Sequence, residues 1–310
     1  MRYVGSTVVV SLVGTCALVM SACSSDSSSL GPGSGGSSGG SSGGTSGSVD
    51  LPVDDGGSAT ATDAKPGTNT DGGGATGPST GPDKPSCKYT AHKTGLTQLQ
   101  QAGGLSFNVY APASYDKQVG HTVVVIMHGQ DSNGVPELNA LWKPIADTAG
   151  ETLVLVAPKG SRASTNGDAT VGNWATADLN EVQTIMGLVD DCYNVFPKKH
   201  VLWGFSEGAF YGYLLGIGAA DSFSGLAMGG ANTSFARQNG YPPSAATWKI
   251  PVSDVHGDMD MNAISLTLLD RTDFQAAGHV FTLHEHPGGH SITAAQVRAQ
   301  YDDLIGSTSP

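Results

Sequence analysis

The sequence predicts one α/β domain over residues 87–310, a mostly parallel sheet covered by helices on both faces. Three observations predict it. Short β-branched runs alternate with longer stretches of helical periodicity, the pattern of repeated βα units. The runs are apolar throughout rather than at every second residue, as expected of strands buried on both faces. The 224 residues that remain after a Gly/Ser-rich tract are enough for a single sizeable core. No internal repeat competes with this reading.

Met1, Arg2 and Tyr3 form a short cationic start, and an uncharged run over 4–20 leads into Met20-Ser21-Ala22-Cys23. Residues 1–23 therefore read as an export signal. The run is also close to the minimum length of a membrane span, so an uncleaved anchor is the competing expectation. The tetrapeptide resembles the bacterial lipobox, with Met20 in place of the more usual Leu. That resemblance implies cleavage before Cys23 and lipid on its thiol, which would hold the chain at a membrane surface of the cell envelope. By resemblance to the sorting of such lipoproteins, Ser24 rather than Asp after the Cys implies the outer membrane or cell surface, provided the organism has an outer membrane.

Residues 24–86 are expected to be disordered. Ser and Gly supply 32 of these 63 residues, and only Leu30, Val49, Leu51 and Val53 are larger apolar side chains, so no core can form. Such a chain is a flexible tether with a reach of about 45 Å. Of the net charge of -12, the domain carries -8, from 12 Lys and Arg against 20 Asp and Glu. That balance sets aside a nucleic-acid partner. Cys16 would leave with the signal and Cys23 would carry lipid, leaving Cys87 and Cys192. An even pair in an exported domain predicts one disulfide formed in an oxidising compartment, with two free thiols as the alternative.

Within the domain, 105–110 (LSFNVY) is expected to add an antiparallel edge hairpin with a strand before it. Core strands are predicted over 122–127 (TVVVIM), 153–157 (LVLVA), 200–203 (HVLW), 224–228 and 280–283 (VFTL). Helices are predicted over 136–149, 177–192, 207–219 and 291–305, the last with Thr293 to Gln296 (TAAQ) as a capping box. In sheets of this kind chemistry gathers where the carboxyl ends of strands meet helix N-termini.

The strand at 200–203 runs into Gly204-Phe205-Ser206-Glu207-Gly208 and then a helical pattern. This is G-x-S-x-G between a strand and a helix, the setting in which the Ser is lifted out of the sheet on a strained turn; the alternative is a Ser that merely caps a helix. A Ser hydroxyl needs a base, and the base needs a carboxylate to orient it. Downstream, the apolar run over 250–255 ends in His256-Gly257-Asp258-Met259-Asp260, where Asp258 or Asp260 should be the orienting acid. His290 follows a Gly-rich loop after the last strand, where a base must sit. Strand alternation puts His284 and His286 on one strand face as packing residues. A zinc site on His284, His286 and His290 finds no other support in the sequence, and no metal or cofactor is expected. An oxyanion needs two N–H donors: that of Glu207, after the nucleophile, and that of Gly129 or Gln130, after the first core strand. His128 is expected to orient this loop.

Together these residues resemble the α/β-hydrolase fold, and within it the secreted esterases grouped with poly(3-hydroxybutyrate) depolymerases and feruloyl or acetylxylan esterases. The resemblance spans most of 87–306. It is carried by Phe107 to Asp116 (FNVYAPASYD), His128-Gly129, Asn173-Trp174 with Asp178, the turn at Ser206, His256-Gly257 with Asp260, and Gly288-Gly289-His290. It implies Ser206 as nucleophile, Asp260 as acid and His290 as base, with Trp174 beside the substrate cleft or, equally, in the core. It also implies an ester substrate, a polyester or a carbohydrate-linked acyl ester. Three positions depart from the pattern. Glu207 puts a carboxylate at the cleft mouth, where it would disfavour anionic substrates; Asp258 adds a second acid; and Ser291-Ile292 replaces an aromatic wall beside the leaving group. A peptidase or thioesterase would share the same residues, and a surface-binding protein on a catalytically silent scaffold is the competing class.

Overall fold

The computed structural model describes residues 94–100 and 104–307. The export signal, Cys23, the linker and Cys87 lie outside the described residues. The strands are β1 (Gly95–Gln100), β2 (Ser106–Ala111), β3 (His121–Met127), β4 (Leu153–Pro158), β5 (Arg162–Ala163), β6 (Gly172–Asn173), β7 (Val195–Phe205), β8 (Gly225–Gly229), β9 (Val252–Gly257) and β10 (Phe281–His286). Eight of them form one sheet in the order β1-β2-β4-β3-β7-β8-β9-β10, and β5 pairs with β6 apart from it. β2 lies antiparallel to both β1 and β4, which makes the expected edge hairpin. Every later neighbour in the sheet is parallel.

Side chains alternate across a strand, so each β3 residue commits to one of two apolar layers. Val123, Val125 and Met127 pack with Val182 and Ile185 of α3 (Asp178–Cys192) and Leu214 of α4 (Glu207–Gly218). Val124 and Ile126 pack on the other face with Leu138, Trp142 and with Val297 and Tyr301 of α7 (Ala294–Ser307). Each of these β3 residues is fully buried. The sheet with helices on both faces is thus as the sequence predicts.

Several bounds differ from the sequence reading, each for a local reason. In place of one helix over 136–149 there are α1 (Val135–Glu137), a π-helical turn (Leu138–Trp142) and α2 (Lys143–Ala146). Pro144 has no N–H to give the preceding turn, and the backbone widens so that the Lys143 N–H donates to the Leu138 carbonyl. The last helix starts at Ala294 rather than Ser291, because Thr293 and Gln296 close the capping box. The Thr293 N–H donates to Gln296 Oε1 at 2.7 Å and the Gln296 N–H to Thr293 Oγ1 at 3.3 Å.

One long helix has no counterpart in the sequence reading, α6 (Ile264–Ala276). Its inward residues are Thr267, Asp270 and Phe274, while Leu266 and Leu269 face solvent. A search for an apolar stripe misses a helix whose buried face is two-thirds polar. Asp270 is satisfied by the N–H and hydroxyl of Thr233 and by Arg237, which fastens α6 to α5 (Ser234–Gln238). Cys192, at the end of α3, is disulfide-bonded, and the other three cysteines of the chain lie outside the described residues.

Candidate active site

β7 ends at Phe205 and α4 begins at Glu207, so the chain reverses within one residue, Ser206. That residue has φ 57° and ψ -123°, a left-handed conformation costly for any side chain. Two glycines make the reversal possible. A Cβ on Gly208 would lie 2.0 Å from the Met127 carbonyl oxygen on β3, and one on Gly204 would lie 2.6 Å from the Gly208 carbonyl oxygen. The helix start is therefore in backbone contact with two strands, and the Ser206 hydroxyl is presented at their carboxyl ends.

His290 and Asp260 meet it there. His290 Nε2 lies 2.8 Å from Ser206 Oγ, and His290 Nδ1 lies 2.8 and 3.0 Å from the two Asp260 oxygens. The Asp260 carboxylate is 1% exposed and the His290 side chain 16%, so the carboxylate is shielded from water while the ring stays partly exposed. Asp258 is placed elsewhere. Its Oδ1 accepts the Gly288 N–H at 2.9 Å, which holds the His290 loop but does not touch the ring. Phe205 packs against the His290 ring at 4.9 Å between centroids.

No family model matches the sequence, and no curated protein matches it. Solved structures do. Esterase PE8 superposes with a TM-score of 0.53 at 17% identity, over 66% of this chain and 99% of its own. A CE1 ferulic acid esterase from the anaerobic fungus Anaeromyces mucronatus gives 0.52 at 18% identity, over 74% and 96%. The feruloyl esterase module from Clostridium thermocellum gives 0.51 at 17% identity, over 67% and 86%. This chain has the α/β-hydrolase fold. In that fold a second N–H for an oxyanion comes from the loop after the first parallel strand, here β3.

That loop is built on buried polar groups. The Gly129 N–H faces the buried Glu137 carboxylate, whose Oε2 also accepts the Ser132 hydroxyl at 2.9 Å. Of the two amides named from sequence, Gly129 is thus already engaged, and no hydrogen bond is made by the Gln130 N–H among the described residues. The Glu207 N–H, first in its helix, has no partner within the helix either. Of the amides named from sequence, those of Gln130 and Glu207 are the two left without such a partner among the described residues.

Trp174 is fully buried, which corrects its placement beside the substrate cleft and leaves the core reading. Its indole N–H donates to the His128 carbonyl at 2.8 Å and its ring packs on the His128 imidazole, so it supports the loop after β3 from behind. The Glu207 side chain is likewise not an unpaired charge at the cleft mouth. It forms an ion pair with Arg162 and accepts the Trp174 N–H at 3.3 Å, while burial raises its pKa and Arg162 opposes the rise. The expected bias against anionic substrates loses its basis, since the half-exposed Arg162 guanidinium neutralises the Glu207 carboxylate. The three histidines of the zinc alternative are divided: His284 pairs with Asp303 at 2.7 Å, His290 with Asp260, and His286 ends β10. Ile292, buried under Gly229, stands where the aromatic wall is absent.

His128 has the orienting role expected of it, and its tautomer follows from its partners. The Gly160 N–H donates to Nε2 at 3.0 Å, so the ring proton is on Nδ1 and donates to the Gly129 carbonyl at 2.7 Å. Burial pulls its pKa down to about 4. A folded pKa below the ordinary 6.5 means that this ring stabilises the fold fully above pH 6.5, and that the contribution is lost as pH falls toward 4. The loss should approach about 3 kcal/mol at 1.36 kcal/mol per pH unit. Denaturant melts between pH 7 and 4 are expected to show this slope in the wild type and a shallower one in His128→Gln; equal slopes would refute the assignment.

Proposed function

We propose that the chain is a serine hydrolase of carboxylic esters. The observation that carries this reading is the unbroken set of contacts from Asp260 through His290 to Ser206 on a strained turn, with two amides beside it. In the proposed reaction, Ser206 Oγ attacks the ester carbonyl carbon as His290 Nε2 takes its proton, and Asp260 stabilises the resulting imidazolium. The carbonyl oxygen, now an anion, accepts the N–H groups of Glu207 and Gln130. His290 then protonates the leaving alkoxide, and the acyl group stays on Ser206. A water molecule deprotonated by the same nitrogen attacks the acyl carbon, and collapse of the second intermediate returns Ser206 to its hydroxyl form. The esterases named above share the fold, which is consistent with an ester substrate; that the ester is a polyester or a carbohydrate-linked acyl ester is proposed from the sequence resemblance.

A fluorophosphonate probe tests this directly, because only an activated Ser reacts. We expect stoichiometric labelling at Ser206 together with turnover of short-chain esters. Absence of labelling would favour a silent binding scaffold, and faster turnover of peptide amides than of esters would favour a peptidase.

The rest of the proposal rests on sequence: cleavage before Cys23, a lipid anchor in the envelope, and a tether over 24–86 that lets the domain reach its substrate. Cys23→Ser is expected to release the protein from the membrane fraction or leave it unprocessed, and wild-type processing and location in that variant would overturn the anchor. Cys87 is the proposed partner of the disulfide at Cys192, and a non-reducing peptide map should join the two.

A further inference from the structure

Behind the acid loop, β9 carries two ionisable side chains that the proposed reaction does not use. Asp254 and His256 are completely buried and two residues apart, so they face the same layer, against α4 and α6. From α4, the Tyr213 hydroxyl donates to Asp254 Oδ2 at 2.5 Å. From α6, Thr267 Oγ1 lies 3.0 Å from His256 Nδ1. Asp254 Oδ1 has no hydrogen-bond partner among the described residues and lies 3.8 Å from His256 Nδ1.

The other ring nitrogen leads to the proposed triad. His256 Nε2 hydrogen-bonds to the Asn262 carbonyl. A carbonyl only accepts, so Nε2 carries hydrogen whenever this contact is made. The Asn262 N–H donates to Asp260 Oδ1 at 2.8 Å, and its side-chain amide donates to the Gly230 carbonyl at 2.7 Å. Gly230 borders the base itself, since a Cβ there would come within 2.9 Å of His290 Cε1. Asn262 therefore ties His256 to the carboxylate that orients His290 and to the strand end against which His290 packs.

Counting protons distinguishes the two states of His256. The Thr267 hydroxyl has one hydrogen and two acceptors within reach, the Ala231 carbonyl at 3.2 Å and His256 Nδ1. In a neutral ring Nδ1 is a lone pair, so one of those two acceptors goes unpaired and Asp254 Oδ1 faces a second lone pair. In the imidazolium, Nδ1–H donates to Thr267 Oγ1, Thr267 donates onward to Ala231, and the positive charge faces Asp254. Only the charged ring pairs both Nδ1 and the Ala231 carbonyl and also sets a positive charge 3.8 Å from Asp254 Oδ1. The charged groups that face the pair agree with this. Burial pushes Asp254 up to about 6, opposed by His256 and Tyr213 and aided by Asp270 of α6. Burial lowers His256, but Asp254, the Asn262 carbonyl and Asp260 outweigh it and leave the imidazole above its ordinary value.

We propose that His256 is a positioning residue of the site: as an imidazolium held by Asp254, it fixes the Asn262 carbonyl and thereby the Asp260 carboxylate against His290. This rests on the Ser206–His290–Asp260 reading and adds a requirement to it. Catalysis needs His290 neutral and His256 charged, so kcat should fall at alkaline pH as His256 loses its proton.

The test is the pH profile of kcat and KM for ester hydrolysis in wild type, Asp254→Asn, His256→Gln and His256→Leu. Asn at 254 keeps an acceptor for Tyr213 but removes the charge, and is expected to move the alkaline limb down by about one pH unit or more. Gln at 256 can donate to the Asn262 carbonyl but carries no charge, and should hold kcat near the alkaline, deprotonated level of the wild type while abolishing that limb. Leu cannot donate, and should lower kcat about 10- to 100-fold with KM within about twofold, the signature of a lost transition-state contact. An alkaline limb absent from wild type, or unmoved in Asp254→Asn, overturns the proposal even if the Leu variant does not fold. Ser206→Ala separates the two readings: an active Ser206→Ala enzyme refutes the triad, whereas an inactive one beside an unmoved limb refutes only the role of His256.

Discussion

Replacing Ser206 or His290 by alanine is expected to lower kcat on a carboxylic ester by about 10³-fold or more, and replacing both to cost little beyond either alone. The reason is geometric. Ser206 Oγ is a nucleophile only while His290 Nε2, 2.8 Å away, can take its proton, so each group is worthless without the other. Asp260→Asn should cost somewhat less, because the acid orients the ring and stabilises its charge without reacting. Asp258→Asn supplies the control, being in the same loop with the same charge but bonded to the Gly288 N–H. It is expected to change kcat by less than about tenfold, within the range of general positioning effects. Steady-state kinetics on one chromogenic ester suffices. Full activity in Ser206→Ala would end the serine-hydrolase reading, and a severe Asp258 defect beside a mild Asp260 one would reverse the acid.

Gly208→Ala should be among the most damaging single substitutions away from the reacting atoms. Its added Cβ would sit 2.0 Å from the Met127 carbonyl oxygen and 2.5 Å from that of His128, and backbone atoms in the middle of a sheet cannot turn aside as a side chain can. The gain in helix propensity, at most about 1 kcal/mol, is outweighed by overpacking that costs about 3 kcal/mol or more. A fall in Tm of about 10 °C is expected at roughly 2 to 4 °C per kcal/mol for a domain of this size. Activity should fall too, since the contact falls where β3 passes into the oxyanion loop. Gly187→Ala is the matched comparison. Gly187 is an exposed residue of α3 with open space around the new methyl group, and the same change there should stabilise by about 0.5 to 1 kcal/mol. Thermal melts of the two variants check both signs, and a wild-type Tm in Gly208→Ala would show that β3 and α4 can separate without penalty.

The sequence by itself determined the features that depend on near neighbours in the chain. Apolar β-branched runs specify strands buried on both faces, and Gly204-Phe205-Ser206-Glu207-Gly208 between a run and a helical pattern specifies a sharp turn with Ser at its tip. Thr293 and Gln296, three apart, specify a helix start. Chain order also named His290, because Gly288 and Gly289 beside it mark a loop after the last strand. Tertiary structure decided whatever depends on groups that meet across long separations. Asp258 and Asp260 are equivalent in sequence, and only the register of their loop against a residue 30 positions away puts one on His290 and the other on Gly288. The burial of Trp174 behind His128, 46 positions earlier, and the ion pair between Glu207 and Arg162, 45 positions apart, are settled by how loops stack over the sheet. α6 escaped the sequence because its inward face is Thr267 and Asp270 as well as Phe274, and a buried polar face becomes tolerable only once Thr233 and Arg237 arrive from another element to satisfy it. Local patterns carry conformational preference, whereas partner identity is a property of the packed chain, where the energy of a charge or hydrogen bond depends on what else has been excluded from water.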